Sequence, residues 1–590
     1  MKKRLMLVLS LFCCFAAYCQ EVTSEEHRNT DAKLNYLINY IRYNYVDKAD
    51  LAKITEKGIM EMLKELDPHS VYISKEDVQK ANEPLVGNFD GIGVSFQITD
   101  DTIRIIDVIR GGPSEKVGVM PSDKILKVDS AIATGDSIKN DWVYKHLRGN
   151  KGTKVAITVL RPGRKEPIIF NITRDKIPIK SINTYFMLDK EIGYILLDRF
   201  AQSSLEELLA ALKDLQKQGM KDLIFDLRGN GGGYLEVAFQ ICDEFLSGDK
   251  LLVYTEGSKS PRLDMKASRK GAFEQGRLVV LIDEYSASAS EIVSGAVQDW
   301  DRGVIIGRRS FGKGLVQRPM NMPDGSQIRL TTSRYYTPSG RCIQKSYANG
   351  VEDYYNDYVK RYKHGEFNTA DSISFPDSLR YSTENGRVVY GGGGIMPDIF
   401  VPMDTSRASD YLINLRSKGV FNSFAVKWAE SNREKTMKAY PTFEAFDTAY
   451  ANLNIMKEFE QYAKSEGVEQ NNIKKEWVNQ IVIDFLKQQT QDTITNFSSY
   501  QSYAQSILNS PAFAAKIDSA AQSEDKKMLD MTQRSDKYIY STLKAVLARN
   551  FYGIPYYYKV MKADDEYMLK AIEVIKNEKE YKKILAPVKK

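Results

Sequence analysis

The spacing of hydrophobic residues changes character along this 590-residue chain. Apolar residues recur every three or four positions between about residues 31 and 82, which predicts helices. From about 85 to 174, short β-rich runs alternate with glycine and proline turns, a pattern typical of a small β module. From about 180 to 402, apolar strands alternate with amphipathic helices, which predicts an α/β domain with a largely parallel sheet. Beyond about 404 the pattern is helical again.

Individual elements can be placed from these runs. In the β module the pattern predicts strands over 93–98, 103–108, 124–128, 154–161 and 168–172, and short helices over 114–117 and 141–147. In the α/β region it predicts strands over 192–197, 223–227, 278–282 and 304–306, and helices over 204–218, 235–246 and 289–300. In the C-terminal part it predicts helices over 473–489 and 538–547.

The first 19 residues predict a signal peptide. Lys2–Arg4 is positively charged, and the apolar run Leu5–Ala17 is short for a membrane span. Small residues at 17 and 19 favour cleavage before Gln20, so we expect an exported, periplasmic protein. The alternative is a lipid anchor on Cys19, which the bulky Tyr18 before it disfavours.

Composition narrows the class of protein without identifying it. The chain is 43% hydrophobic and 27% charged, which is ordinary for soluble globular domains, and its length predicts several of them. A net charge of +6 is small, and no basic run alternates with aromatics, so nucleic acid is not an expected partner. Outside the signal segment only Cys242 and Cys342 remain; a disulfide between them is open, but the apolar surroundings of Cys242 favour a buried free thiol.

A cluster of serines follows the strand predicted at 278–282 and precedes a predicted helix. Ser288 lies at or beside that helix N-terminus, where free N–H groups favour negative charge. Ser288 and Glu291 also form the spacing of a capping box, so a purely structural cap is the alternative. The two roles are compatible.

Lys313 is the candidate for the base that a nucleophilic serine needs. It lies between Gly312 and Gly314, at the start of a second predicted extended segment. A lysine acts as a base only where burial keeps it neutral. In a strand Lys313 would share a face with Gln317, whose amide can bind the amine without adding charge. Together with the serine cluster, this arrangement predicts a serine protease with a Ser–Lys dyad.

The glycine turn, residues 228–233, follows the predicted strand 223–227. Such a turn exposes N–H groups that can hold a phosphate or an oxyanion, although a plain tight turn is the alternative. Beside a candidate nucleophile it predicts an oxyanion hole.

Other catalytic classes find less support. The chain has four histidines, His27, His69, His146 and His364, and none lies in a motif of a catalytic triad or a zinc site. Residues 307–314 nearly match a phosphate-binding loop. Gly314 replaces the hydroxyl that would bind magnesium, however, and a strand rather than a helix is predicted to follow. We therefore expect no metal, nucleotide or other cofactor.

The β module carries its own glycine-containing loop at Gly91–Val94, with a second at Gly111–Gly118. A loop of this kind beside an open strand edge can capture a peptide's C-terminal carboxylate and add the peptide as a strand. The alternative is a small β domain that only packs.

Six motifs in order give the chain a family resemblance between about residues 31 and 402. They resemble those of the carboxy-terminal processing peptidases, also called tail-specific proteases. The motifs are Leu66–Tyr72, Gly91–Val94, Leu147–Gly149 with Gly152–Thr153, Asp226–Gly233, Ser286–Ile292 and Phe311–Gln317.

The resemblance implies a multidomain α+β protein. Its parts would be a signal peptide (1–19), an N-terminal helical region (20–84), a PDZ domain (85–176), a serine protease core (177–403) with a crotonase-like, Clp-protease-like α/β fold, and a helical C-terminal extension (404–590). No family motif is recognised in that extension.

The resemblance also implies roles for individual residues. Ser288 would be the nucleophile, Lys313 the general base and Gln317 its orienting partner. The further implied sites are Gly233 with the amide of Ala289 as oxyanion hole, Gly91, Ile92, Gly93 and Val94 as the peptide-binding loop, and Arg148 as the coupling of the PDZ domain to the site.

The expected substrates are proteins or peptides with exposed, apolar C-termini, cleaved in the cell envelope. A homodimer and an adaptor protein remain open. The alternative from another class is a non-catalytic PDZ scaffold with a protease-like core, and a nucleotide hydrolase built on Lys313 is a weaker third.

Overall fold

The computed structural model describes residues 28–99, 101–404, 409–469 and 535–588. The predicted signal peptide and the predicted helix at 473–489 lie outside these residues. Among the described helices, none combines the length and the apolar character that crossing a membrane requires. The chain divides into two compact units, of which the first comprises the residues up to Val78, Gln317–Thr331 and Tyr347–Tyr355.

The first unit begins with two helices, 28–44 and Leu51–Lys64, in the region where the apolar spacing predicts helices. The Asp50 side chain caps the second of them by accepting the Lys53 N–H at 3.1 Å. The strand Val71–Ile73 follows and pairs antiparallel with residues 327–329 of a later strand. The unit also contains the helix Val351–Tyr355.

The β module lies in the second unit and matches the predicted elements closely. Residues 155, 157 and 159 are buried while their neighbours are more exposed, as expected where one face of a sheet packs on a core. Its elements are the strands Val94–Thr99, Thr102–Val108, Lys124–Val128, Ala131–Ile132, Lys154–Leu160 and Ile168–Thr173 and the helices Pro113–Lys116 and Asn140–Leu147. The helix Val78–Val86 and the paired strands Asn88–Gly91 and Asp175–Pro178 flank it.

The α/β region contains a six-stranded sheet, here called the parallel sheet. Its first two strands are antiparallel and all later pairs are parallel. The central strands are buried along their whole length because helices cover both faces. In spatial order the strands are Thr184–Met187, Ile192–Leu196, Asp222–Asp226, Leu278–Ile282, Val304–Gly307 and Ile399–Phe400.

Helices from different parts of the chain cover the parallel sheet. One face packs against Ser204–Lys217, Leu235–Phe245 and Ala289–Asp299. The other packs against Glu566–Lys576, through Met568, Ala571, Val574 and Ile575. Thus a helix near the end of the described chain completes the core of this region.

Several strands of the α/β region were not predicted. Ser260–Lys266 is largely exposed and charged, so it carries no apolar run to mark it. The additional strands are Leu251–Gly257, Ser260–Lys266, Gln327–Tyr336, Arg380–Ser382 and Val388–Tyr390, with the helix Asp357–Lys363 among them. The strand Leu315–Asn321 lies where an extended segment was predicted to follow Lys313.

The C-terminal helices form their own core around stacked Phe421 and Phe459. Glu430 in this region forms ion pairs with Arg104 and Lys124 of the β module. The helices of this core are Asp410–Ser417, Val420–Ala439, Phe443–Ala449, Ile455–Ser465, 535–552 and Ile554–Met561. The helices Glu566–Lys576 and Glu578–Ile584 follow them in the chain and belong to the core of the parallel sheet.

Candidate active site

Ser288 lies in a sharp turn between the strand Leu278–Ile282 and the helix Ala289–Asp299. Its backbone has φ +55° and ψ −110°, a conformation that a residue with a side chain rarely adopts. Such strain costs about 1–3 kcal/mol and is concentrated at functional sites. The turn leaves Ser288 partly exposed at the helix N-terminus, as the sequence predicts.

The neighbouring serines have structural roles. Ser286 and Ser290 are fully buried. Their hydroxyls donate to the carbonyls of Leu227 and Asn230, each at 2.8 Å, and so attach the helix start to the glycine turn. Of the three serines in the cluster, Ser288 is therefore the candidate that can meet a substrate.

Glu291 joins the segments that carry Ser288 and Lys313. Its buried carboxylate accepts the N–H groups of Ser288 at 2.8 Å, Gly312 at 2.7 Å and Lys313 at 2.9 Å, and the Ser310 hydroxyl at 2.5 Å. Burial raises the pKa of Glu291, and these four hydrogen bonds oppose the shift. The capping contact expected for Glu291 is present. The same carboxylate also binds the segment 310–313, here called the lysine loop.

Tyr335 connects the same two residues from their carbonyl side. Its ring is buried, and its hydroxyl lies 3.0 Å from the carbonyl oxygen of Ser288 and 2.7 Å from that of Lys313. Ser288 and Lys313 are thus held together at their N–H groups by Glu291 and at their carbonyls by Tyr335. Sequence reasoning missed Tyr335, because a tyrosine in a β-rich run carries no specific signal.

The prediction that Lys313 begins a strand is wrong. The strand starts at Leu315, because the N–H groups of Gly312 and Lys313 are bound by Glu291 instead of a neighbouring strand. The expectation of a shared face therefore applies only to Leu315 and Gln317. A strand does follow the lysine loop, whereas a phosphate-binding loop leads into a helix.

The glycine turn lies directly against the start of the helix Ala289–Asp299, here called the serine helix. Gly232 has φ +102°, and a Cβ there would lie 2.8 Å from the Ala287 oxygen, 2.9 Å from Cβ of Ser288 and 3.0 Å from the Ala289 nitrogen. Asn230 holds the turn: its side chain accepts the Gly232 N–H at 2.9 Å and donates to the Leu197 carbonyl at 2.8 Å. Only glycine fits this approach without displacing Ser288.

The two predicted oxyanion-hole residues lie on these adjoining segments. Gly233 packs so closely on Phe200 that a Cβ would lie 2.1 Å from the Phe200 carbonyl oxygen. Ala289 is the first residue of the serine helix and is buried. Their function as hydrogen-bond donors stays a prediction.

Gln317 belongs to the first unit, where its Nε2 donates to Oγ1 of Thr331 at 3.1 Å. Cys242 and Cys342 are free, and burial raises the pKa of the Cys242 thiol.

Each of the three histidines in the described ranges contacts an oxygen atom. His146 and His364 contact carbonyls of their own helices through Nδ1, each at 2.7 Å. His69 Nε2 lies 2.8 Å from the Tyr354 hydroxyl.

The β module contains a groove beside its edge strand Val94–Thr99. The groove encloses about 50 Å³, and the predicted loop Gly91–Val94 contributes four of its residues. Arg148 also borders it, with its guanidinium 4.6 Å from the ring centre of Phe89 and 4.8 Å from that of Tyr144. Arg148 forms an ion pair with Glu83 as well. The remaining lining residues are Phe89, Phe96, Val143, Tyr144 and Leu147.

Three protein-family models match the chain. Peptidase family S41 matches residues 191–355, the PDZ domain matches 91–171, and a family of unknown function, DUF8443, matches 411–477.

This chain matches most of the length of two curated relatives. A carboxy-terminal-processing protease of Bartonella bacilliformis is 34% identical over 333 residues, 55% of this chain and 76% of the relative. The carboxy-terminal processing protease CtpA of Bacillus subtilis is 34% identical over 350 residues, 57% of this chain and 73% of the relative. Among solved structures, the photosystem II D1 C-terminal processing protease is 27% identical, with a TM-score of 0.32, over 52% of this chain and 82% of that one.

Proposed function

The chain belongs to the carboxy-terminal processing proteases and is a serine protease with a PDZ domain, and from this premise we propose that Ser288 and Lys313 form its catalytic dyad. The observation that carries the proposal is the double connection of the two residues through Glu291 and Tyr335. It gives serine and lysine a fixed relative backbone position, which a two-residue proton transfer requires.

In the proposed reaction, the neutral Lys313 amine takes the proton from the Ser288 hydroxyl as Oγ attacks the scissile carbonyl carbon. The amides of Gly233 and Ala289 stabilise the oxyanion. The lysine ammonium then protonates the leaving nitrogen, the C–N bond breaks, and an ester to Ser288 remains. Water, deprotonated by the same amine, attacks that ester and releases the serine. For Gln317 we keep the role of orienting partner that the family resemblance implies.

We further propose that the PDZ domain selects substrates by their C-termini. The groove at Gly91–Val94 adjoins an open strand edge, so an extended peptide can add to the sheet while the loop binds its carboxylate. The lining is mostly apolar, which favours apolar terminal residues. Arg148, beside this groove and paired with Glu83, is the proposed coupling residue. We also propose that the protease core has a crotonase-like fold.

A labelling experiment tests the dyad. A fluorophosphonate probe should modify wild-type protein at Ser288 and spare Ser288→Ala, and an unfolded model protein with an apolar C-terminus should be cleaved only by the wild type. Ser286→Ala is the matched control for loss of a neighbouring hydroxyl. Equal labelling of wild type and Ser288→Ala would contradict the assignment.

The first 19 residues support the proposal of an exported, periplasmic enzyme. Mass spectrometry of the protein from the host envelope should find Gln20 as its N-terminal residue. A lipid-modified Cys19 would support anchoring instead, and an intact Met1 would contradict export.

A further inference from the structure

The helix Glu566–Lys576 brings two side chains of the C-terminal region to the edge of the parallel sheet where the glycine turn begins. Asp565, the residue before the helix, caps its start by accepting the Met568 N–H at 3.2 Å. Tyr567 lies against Gly307, the last residue of a sheet strand, because a Cβ there would lie 2.9 Å from Cε1 of the tyrosine ring. Neither side chain has a part in the function proposed so far.

Asp565 forms an ion pair with Arg228, the first residue of the glycine turn. The Nη1 and Nη2 groups of Arg228 donate to its two carboxylate oxygens at 2.9 Å and 2.8 Å. The same guanidinium donates to Oδ2 of Asp226 through Nε at 3.0 Å and through Nη2 at 2.6 Å. Asp226 is buried and ends its strand of the parallel sheet. Arg228 thus links the sheet to the C-terminal helix, with its guanidinium fixed from two sides.

The ring of Tyr567 lies against two guanidinium groups. Its centre is 4.7 Å from Cζ of Arg228 and 5.1 Å from Cζ of Arg308. Arg308 is buried and forms a bidentate ion pair with Glu284, with N···O distances of 2.8 Å and 3.1 Å. An aromatic ring attracts such cations where they have lost water. The Tyr567 hydroxyl is buried without a hydrogen-bond partner among the described residues, so the ring makes the contact.

These contacts reach all three segments that carry the proposed catalytic groups. Arg228 begins the glycine turn, Glu284 lies in the turn before the serine helix, and Arg308 lies two residues before the lysine loop. The first two segments also bind each other, because Oδ1 of Asp283 accepts the Gly229 N–H at 3.0 Å. The two C-terminal side chains therefore connect to every one of these segments, either directly or through the Arg308 ion pair.

We infer that Asp565 and Tyr567 are positioning residues that align the glycine turn with the serine helix by fixing Arg228. The inference rests on the proposed function, in which amides of that turn and that helix form the oxyanion hole. Such amides stabilise an oxyanion when they are held in place before the reaction, and a displacement of about 1 Å can cost about 100-fold in rate. Without the two side chains, the Arg228 guanidinium would lose its attachment to the C-terminal helix.

The test uses variants of the full-length protein that are chosen to preserve the helix. Asp565→Asn removes the charge that binds Arg228, while asparagine caps a helix as well as aspartate does. Tyr567→Leu removes the aromatic face and stays apolar, whereas Tyr567→Phe keeps the ring and removes only the hydroxyl. Lys570→Ala is the matched control, because Lys570 lies on the same helix in an ion pair with the exposed Glu573.

The measurements are kcat and KM on the unfolded model protein and the rate at which the fluorophosphonate probe labels Ser288. We expect Asp565→Asn and Tyr567→Leu to lower kcat and the labelling rate about 10- to 100-fold, with KM within about threefold of wild type. Tyr567→Phe and Lys570→Ala should stay within about threefold in all three quantities. Wild-type rates of Asp565→Asn and Tyr567→Leu would overturn the inference.

A double-mutant cycle with Arg228→Lys separates positioning from a general structural role. Lysine keeps a positive charge beside Asp226 but cannot form the bidentate contact. If Asp565 acts through Arg228, the double variant should be no slower than the slower single variant. Multiplying effects would overturn the inference, and so would wild-type speed of Arg228→Lys beside a slow Asp565→Asn.

Thermal unfolding gives the temperature range in which each variant is folded, and the rates are compared within that range. A purely structural role would lower the unfolding temperature and leave kcat of the folded enzyme unchanged, which would overturn the inference. Slow turnover of folded Tyr567→Leu with recovery in Tyr567→Phe would support it, because the two variants differ in the aromatic ring.

Failure of the premise gives a different result. If wild-type Ser288 is not labelled, the dyad assignment falls and the inference falls with it. If Ser288 is labelled but Gly232→Ala, which displaces the same turn, is as fast as wild type, the dyad stands while the role of the turn and the inference are both refuted. If Gly232→Ala is slow and the C-terminal variants match wild type, the inference alone is refuted.

Discussion

Lys313→Ala should abolish cleavage of an unfolded protein, with kcat reduced by about 10⁴-fold or more, because the proposed dyad would then lack its base. The PDZ groove would be unchanged, so the affinity for a peptide with an apolar C-terminus should stay within about twofold. Steady-state kinetics and peptide titration measure the two effects separately.

Two further lysine variants test whether Lys313 acts as a base or only as a positive charge. Lys313→Arg should be equally inactive, because a guanidinium keeps its charge and cannot act as the base. Lys345→Ala is the matched control: Lys345 is buried, its N–H donates to the Gly312 carbonyl at 3.0 Å, and its amine pairs with Asp357 at 3.0 Å. We expect it to retain activity within about tenfold. An active Lys313→Arg enzyme would show that positive charge, and not proton abstraction, is needed.

Gly232→Ala should reduce kcat by about 10²- to 10³-fold, similar to the loss of an oxyanion-hole donor. The added methyl group would lie within 3.0 Å of Ala287, Ser288 and Ala289 atoms, and φ +102° is unfavourable for alanine. The serine helix or the glycine turn must therefore shift. The same probe and substrate used for Ser288 measure the loss.

Gly231→Ala is the control for Gly232→Ala, because a Cβ at Gly231 meets no atom within 4 Å. It should remain within about threefold of wild-type kcat. A similar loss in both variants would point to general destabilisation of the turn, and thermal unfolding should then show a similar drop for both.

Local patterns predicted much of the local structure around the candidate residues. Ser288 could be placed at a helix start because an apolar strand, a polar turn and an amphipathic helix follow one another within about 20 residues. Gly232 lies in a glycine run that signals close backbone approach. The strands of the β module were also confirmed closely, since each is a short apolar run between turn residues.

Contacts between distant segments could not be read from such patterns. Tyr335 lies 47 positions from Ser288. Glu291 was recognised as a helix cap, but its bonds to the lysine loop depend on how the parallel sheet brings two turns together. For the same reason the charged strand Ser260–Lys266 and the packing of Glu566–Lys576 on the sheet were not anticipated.

The late helix on the parallel sheet determines when the glycine turn can be fully supported. Arg228, at the start of the glycine turn, forms a bidentate ion pair with Asp565, which lies 337 positions further along the chain. A chain still emerging from the ribosome would contain Ser288 and Lys313 long before this support exists. The glycine turn would then be fully supported only after Asp565 and the helix that follows it have been made and have packed on the sheet.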